Sequence, residues 1–199
     1  MTMSESGELE GQFTQRAQAG DPQAFDWLME RHLKAIYNLV RGMLPDQAEA
    51  AKDLVQETFL SAYRGLNTFR RDCRVGTWFH RIAVNKVLNY RSKRRLRTVP
   101  LEAERNGERR VLDLEDPQAG PSQVLEEGEL QELLRQTVAE LPETLRVVFV
   151  LREFRQRPYE EIAQILETTP ETVRVRLHRA KKELLKRLRP HLAVAEESP

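Results

Sequence analysis

The sequence predicts an all-α protein, built as two helical domains joined by a flexible linker. Apolar residues recur at three- and four-residue steps through both ends of the chain, and no segment alternates at period two for long enough to demand a sheet. Between the ends, residues 96–128 lose that periodicity. They carry four Lys/Arg against eight Asp/Glu and are broken by Pro100, Asn106-Gly107, Pro117 and Gly120-Pro121. The expected division is an N-terminal domain over 13–95, an acidic linker over 96–128 and a C-terminal domain over 129–192.

The elements follow in order. Asp21-Pro22 pairs an N-cap acceptor with a residue of preset φ, and Phe25, Leu28, His32, Ile36, Leu39, Val40 and Met43 then repeat along one helical face. Asp46 with Glu49 fits a capping box opening a second helix, which turns Ala50, Leu54, Phe59 and Ala62 to a core. Thr77 is the expected cap of a third, carrying Trp78, Ile82, Val84, Leu88 and a basic run. Beyond the linker, Leu130, Leu133, Leu134, Val138 and Leu141 form a fourth helix ended by Pro142. Residues 143–155, 158–166 and 170–189 give three more.

Composition narrows the class. Of 199 residues, 40% are hydrophobic and 32% charged, with 10 Pro and 9 Gly, so the chain can bury a core and is neither disordered throughout nor collagen-like. One cysteine, Cys73, can close no internal disulfide and points to a reducing compartment. The polar, acidic MTMSESGELEGQ lacks the plan of a signal peptide, and no run approaches the roughly 20 apolar residues of a membrane span. These features predict a soluble, cytoplasmic protein. A net charge of +1 hides two basic stripes: Arg91, Lys93, Arg94, Arg95 and Arg97, and the eight Lys/Arg between Arg174 and Arg189 opposed by Glu183. Such stripes suit contact with a polyanion, and also suit solvated helix ends.

The stretch PYEEIAQILETTPETVRVRLHRAKK, residues 158–182, holds the sharpest local signal. Ile162, Ala163 and Leu166 point inward, a short polar turn follows, and Thr168 or Thr169 can cap the next helix with Pro170 in its first turn. Val173, Leu177, Ala180, Leu184 and Leu188 then fall on one stripe. The opposite arc shows Glu171, Val175, His178, Arg179, Lys182 and Lys186, flanked by Arg174 and Arg176. This is the plan of a helix-turn-helix, whose second helix enters the major groove. Arg174, Arg176 and Arg179 can pair with guanine O6 and N7 or hold phosphate, Glu171 can accept from a cytosine amine, and Val175 can pack on a thymine methyl.

In the N-terminal domain, Asp53, Gln56, Glu57 and Leu60 share a stripe of DLVQETFLSAY. That stripe suits docking on a protein, though taken alone it reads as an ordinary solvated face. Residues 67–95 combine a basic loop with a helix of aromatic, amide and guanidinium groups. Rings can stack on unpaired bases, amides can read their edges, and arginines can hold the backbone. Trp78, near the helix start, reads first as a core anchor, and Cys73 as an incidental thiol unless its pKa is depressed. None of His32, His80, His178 and His191 forms a pair at metal-ligand spacing, so no metal or other cofactor is expected.

The ordered set GDPQAF, DLVQETFLSAY, GTWFHRIAVN, a basic run, a linker, LPETLRVVFVLREF, YEEIAQIL and TVRVRLHRAKKEL closely resembles bacterial RNA polymerase sigma factors. The resemblance is to the extracytoplasmic-function (ECF) type, which keeps only sigma regions 2 and 4. It covers about 13–95 and 129–190. It implies a subunit that binds core RNA polymerase and directs promoter-specific initiation, in a stress or envelope response. By that resemblance Asp53, Gln56, Glu57, Phe59 and Leu60 dock on the β′ clamp helices. Asn67, Arg70, Arg71, Arg74, Trp78, Arg81, Asn85, Arg91 and Arg94 capture and open the −10 element. Glu171, Thr172, Arg174, Val175, Arg176, Arg179 and Lys182 read the −35 element. Implied partners are the β′ clamp helices, the β flap, duplex and single-stranded promoter DNA, and an anti-sigma factor that masks these surfaces; the implied location is cytoplasmic, on the nucleoid. The chain departs from the family pattern at Glu167 and Gln156-Arg157, where Gly is usual, at Val175, usually small and polar, and at His80, usually Tyr.

Two magnitudes shape the expected mechanism. Each lost stacking step costs about 1.4 kcal/mol, so opening a full turn of DNA needs help from the polymerase. The segment 96–128 can stretch to about 110 Å but relaxes to about 30 Å, against roughly 70 Å for two turns of duplex. A free protein should therefore bind a bipartite promoter poorly. A transcriptional regulator with the same helix-turn-helix would leave the N-terminal domain idle. An enzyme is disfavoured, with no phosphate-cradling Gly loop and no nucleophile beside a base.

Overall fold

Helical periodicity at both ends becomes two helical units in the computed structural model, which describes the backbone of residues 3–97 and 132–196 and the side chains of 7–94 and 132–189. The N-terminal unit contains α1 (Met3–Gln18), α2 (Pro22–Met43), α3 (Ala48–Gly65), a single 3-10 turn (Leu66–Thr68) and α4 (Val75–Arg97). The C-terminal unit contains α5 (132–139), α6 (Glu143–Phe149) running into a π-helical turn (Val150–Phe154), α7 (Tyr159–Ile165) and α8 (Pro170–Glu196). Among the described residues there is no strand, and no helix is long and apolar enough to cross a membrane.

Asp21 caps α2 as expected, accepting from the N–H groups of Gln23 and Ala24. Leu28, Ile36 and Leu39 of α2, Ala51 and Ala62 of α3, and Phe79, Ala83 and Val87 of α4 are all fully buried. Phe79 sits at the centre of an aromatic cluster, meeting Phe59 edge-on at 5.5 Å and His32 at 5.4 Å.

Four local expectations are corrected. The α3 N-cap is Gln47, with no side-chain cap bond; Asp46 instead pairs with Arg135 at 3.1 Å and Glu49 with Lys52 at 2.8 Å. Helix α4 starts at Val75, two residues before Thr77, which is buried and hydrogen-bonded to Glu161 at 3.4 Å. At its other end α4 continues through Leu96 and Arg97 into the expected linker. From residue 98 the linker, with Leu130 beyond it, lies outside the described residues. Helix α8 likewise runs past the expected 189 to Glu196. Helix α1 was not foreseen; it docks on α2 with Phe13 stacked on Trp27 at 4.1 Å, Glu10 bonded to His32, and Thr14 and Ala17 buried.

In the C-terminal unit, Pro142 separates α5 from α6, and the buried Arg146 closes the gap. Its guanidinium donates to the carbonyls of Val138 (3.0 Å), Leu141 (2.7 Å) and Ala139, satisfying acceptors left free at the end of α5.

The two units touch along α2 and α4. Arg146 also reaches Met43 O (3.4 Å), Arg155 donates to Asn38 O (3.0 Å), and Arg91 pairs with Glu143 (3.0 Å). At Gly42 the approach is tight: a Cβ there would lie 2.9 Å from Val150 Cγ1, so only glycine fits without a shift.

Candidate nucleic-acid and polymerase interfaces

The helix-turn-helix is present as read. Helix α7 ends in a Schellman-type turn, with Glu167 left-handed at φ 49° and Thr168 N–H donating to Ala163 O at 2.9 Å. Thr169, the second of the two candidate caps, accepts from Thr172 N–H at 3.2 Å. Glu167 and Gln156 (φ 51°) thus both hold the backbone that glycine adopts freely, so the departures from glycine preserve the turns at a cost of about 1–2 kcal/mol each.

Helix α8 presents the expected faces. Val173, Leu177, Ala180 and Leu184 are buried, and Leu188 is partly so. Glu171, Arg174, Val175, Arg179 and Lys182 are exposed, while Thr172 and Arg176 are half-buried. Glu171 and Arg174 pair at 2.9 Å, both well exposed, a bond cheap to exchange for DNA contacts. Val175 stands 44% exposed among charges, an apolar contact point aimed at solvent.

A second surface lies between α2 and α3. Phe25, Met29, Leu33, Phe59, Leu60 and Tyr63 line a groove of about 510 Å³. Leu33, Leu60 and Tyr63 are 43%, 48% and 54% exposed, which makes a contiguous apolar patch rather than scattered residues. Asp26 and Gln56 line it too, and Asp53 and Glu57 are exposed on the same helix as Gln56. Phe59 is buried at its floor and belongs as much to the core as to the groove. The acidic stripe of α3 was legible in sequence; the contribution of Phe25, Met29, Leu33 and Tyr63 was not, because it depends on how α2 crosses α3.

The third surface is the loop 69–74 with α4. Arg70, Arg71 and Arg74 are exposed, as are Asn67 and Asn85. Trp78 stacks on Phe69 at 4.7 Å and keeps part of its ring accessible, combining anchor and surface. Arg94 donates to Gln47 at 2.7 Å, and Arg91 reaches both Met43 O and Glu143. Arg81 is held by the other unit, pairing with Glu167 at 3.2 Å and donating to Gln164 O at 2.9 Å. Beside it, burial pushes the Cys73 thiol up, against the nearby Arg81 charge, so the thiolate of a redox sensor is not favoured.

A helix-turn-helix with a basic outer face, beside a helical unit carrying an acidic, apolar-floored groove and an arginine loop, defines a protein that grips DNA and docks on another protein. Two family models match it: "Sigma-70 region 2" over residues 28–97 and "Sigma-70, region 4" over 131–184. The RNA polymerase sigma-H factor of Pseudomonas aeruginosa is 34% identical over 194 residues, covering 94% of this chain and 98% of that protein. The ECF RNA polymerase sigma-E factor of Escherichia coli K12 is 33% identical over 184 residues, 88% of this chain and 92% of its own length. Among solved structures, CnrH in complex with the cytosolic domain of CnrY matches with TM-score 0.63 and 23% identity, covering 96% of this chain and 99% of that one. The sigma factor RpoE of Bartonella quintana, in complex with the anti-sigma factor NepR, matches with TM-score 0.60 and 20% identity, covering 83% and 96%. This chain belongs to the sigma-70 family of RNA polymerase sigma factors, in its ECF group.

Proposed function

We propose that this sigma factor directs core RNA polymerase to bipartite promoters through three surfaces. The α2–α3 groove, with Asp53, Gln56, Glu57, Phe59 and Leu60, takes the β′ clamp helices, whose apolar side chains fill it while basic groups meet the acidic rim. The segment 67–75 and α4 hold the separated −10 strand through Asn67, Arg70, Arg71, Arg74, Trp78, Arg81, Asn85, Arg91 and Arg94. The outer face of α8, from Glu171 to Lys182, reads the −35 duplex, and the C-terminal unit meets the β flap. The functional domains on this reading are 13–95 and 129–192, separated by the linker 96–128. The work belongs to the cytoplasm and the nucleoid, in a stress or envelope response, under an anti-sigma factor that masks the same surfaces.

The observation that carries this reading is the outward set on α8, where a capped helix N-terminus presents arginines and an exposed valine opposite the buried Val173, Leu177, Ala180 and Leu184. The contacts between the units add a constraint. Arg81 and Arg91 are engaged with Glu167 and Glu143 across the interface, so the −10 strand gains them only when the units part. The arrangement described is therefore that of the unloaded protein.

In vitro transcription with core polymerase tests the assignment, comparing wild type with Arg176→Ala. The variant should keep polymerase binding but lose −35-dependent start-site selection roughly tenfold or more, the worth of a bidentate base contact. Unchanged selection would count against the reading.

A further inference from the structure

Helix α1 has no part in the three surfaces, yet two of its polar side chains bear on opposite ends of the arginine loop, Gln18 directly and Glu10 through His32 of α2. At the entry, the Gln18 amide donates to Leu66 O at 3.0 Å and Phe69 O at 2.8 Å. Those carbonyls bracket the 3-10 turn through which the chain leaves α3. At the exit, Glu10 hydrogen-bonds the His32 ring, which is packed hard against Gly76 in the first turn of α4. A Cβ on Gly76 would meet His32 Cε1 at 2.7 Å, so this contact exists because the residue is glycine. Burial raises the Glu10 carboxyl, but His32, Arg31 and the loop's own Arg74 outweigh it and keep Glu10 below the usual carboxylate range.

The loop needs such holding. Its backbone bonds sit at its two ends, Phe69 N–H to Leu66 O at 3.1 Å and Trp78 N–H to Arg74 O at 3.1 Å. Between them Arg71 is left-handed at φ 58°, a conformation that persists only where the surroundings fix it. Phe69, stacked on Trp78, supplies one fixed point, and Gln18 ties its carbonyl.

We propose that α1 is the brace of the strand-capturing loop, with Gln18 a positioning residue whose two hydrogen bonds set the direction in which Arg70, Arg71 and Arg74 meet the −10 strand. The proposal rests on the reading of this loop as the −10 contact. Gln18 touches no DNA; it acts through the carbonyls of Leu66 and Phe69.

The test uses the full chain assembled with core polymerase. Capture of single-stranded −10 oligonucleotides, each carrying one base substitution, is measured for wild type, Gln18→Ala, the isosteric Gln18→Glu and Arg71→Ala, alongside affinity for core and the thermal midpoint. Loss of two hydrogen bonds, one to each carbonyl, should weaken capture by both Gln18 variants about tenfold. Preference among the substituted oligonucleotides should flatten, while core affinity stays at wild-type level. If Gln18→Ala does not fold, Gln18→Glu, which keeps the shape and loses both donors, decides. Wild-type capture and preference in the Gln18 variants, with Arg71→Ala impaired, would overturn the brace alone. Loss of capture together with core affinity and the thermal midpoint would reduce Gln18 to a structural residue and overturn it too. If Arg71→Ala captures normally, the reading of the loop fails first.

Discussion

His80 is fully buried where the family usually has Tyr, and its two ring nitrogens have different work. Nδ1 lies 2.6 Å from Gly76 O, which can only accept, so Nδ1 carries the proton and Nε2 is left to accept from Arg157 at 3.3 Å. Burial, opposed by the Gly76 bond and reinforced by the Arg157 charge, lowers its pKa to about 4. An unfolded chain protonates this ring near pH 6.5, whereas the folded one stays neutral down to about 4. Stability from this residue should therefore be intact above pH 6.5, fall by up to about 3 kcal/mol as the pH drops to 4, and then level off. Urea unfolding between pH 7.5 and 4.5 checks this, with His80→Gln expected to lose most of the slope across that window. An unchanged slope in the variant would refute the assignment. At the same scale, Glu167 and Gln156 show a limit of sequence reading. The departure from glycine was legible, but the retention of the left-handed backbone was not, since residue type alone leaves open whether the turn or the side chain gives way.

Helices α2, α3 and α8 could be read from spacing because each buries a wide apolar stripe, and Asp21-Pro22 marks its start without ambiguity. Helix α1 could not. MSESGELEGQFTQRAQ contains two glycines, and its inward face sets Leu9, Phe13 and Ala17, one apolar residue per turn, beside the polar Glu10 and Thr14, too thin a stripe to stand out. The starts of α3 and α4 were misplaced for a related reason. Asp46 and Thr77 are good caps locally, but Asp46 pairs with Arg135 and Thr77 is buried beside Glu161, so tertiary contacts outbid the local bond. The docking groove was half legible, its α3 stripe visible and its α2 wall hidden. Leu60, 48% exposed on that groove, gives the element-scale prediction. Leu60→Asp should leave the thermal midpoint nearly unchanged, since little apolar area is lost from the core, yet weaken association with core polymerase tenfold or more, as an apolar anchor at an interface centre does. Thermal melting reads the first and titration over surface-immobilised core polymerase the second; wild-type affinity would move the docking site elsewhere.

Across the whole molecule, the contacts between the units are suited to release. Beside the apolar approach of Val150 to Gly42 they include arginines, and Nε of Arg81, Arg155 and Arg157 is buried with no hydrogen-bond partner among the described residues. Arg155 and Arg157 also repel, and after burial this is what lowers Arg155 further. Such an interface forfeits part of what its ion pairs contribute. Two substitutions should open it by different routes: Gly42→Ala by steric contact with Val150, and Glu167→Gly by removing the Arg81 partner. A distance between fluorophores at Lys52 and Lys182, both exposed, should lengthen in each variant and in high salt, with secondary structure unchanged. An unchanged distance in both would mean that packing elsewhere holds the units together. The order of the elements and the two faces of α8 were legible in the chain; this docking of unit on unit was not, because its residues come from distant segments with no shared period.

The central claim is that promoter recognition resides in this chain only when core polymerase holds it open. Footprinting of one bipartite promoter by the free protein, by core polymerase and by the two together tests it most directly. The account predicts protection of both elements, with reactive unpaired bases at −10, in the combined sample and neither feature in the other two. Full protection by the free protein, or a combined sample no different from core alone, would contradict it.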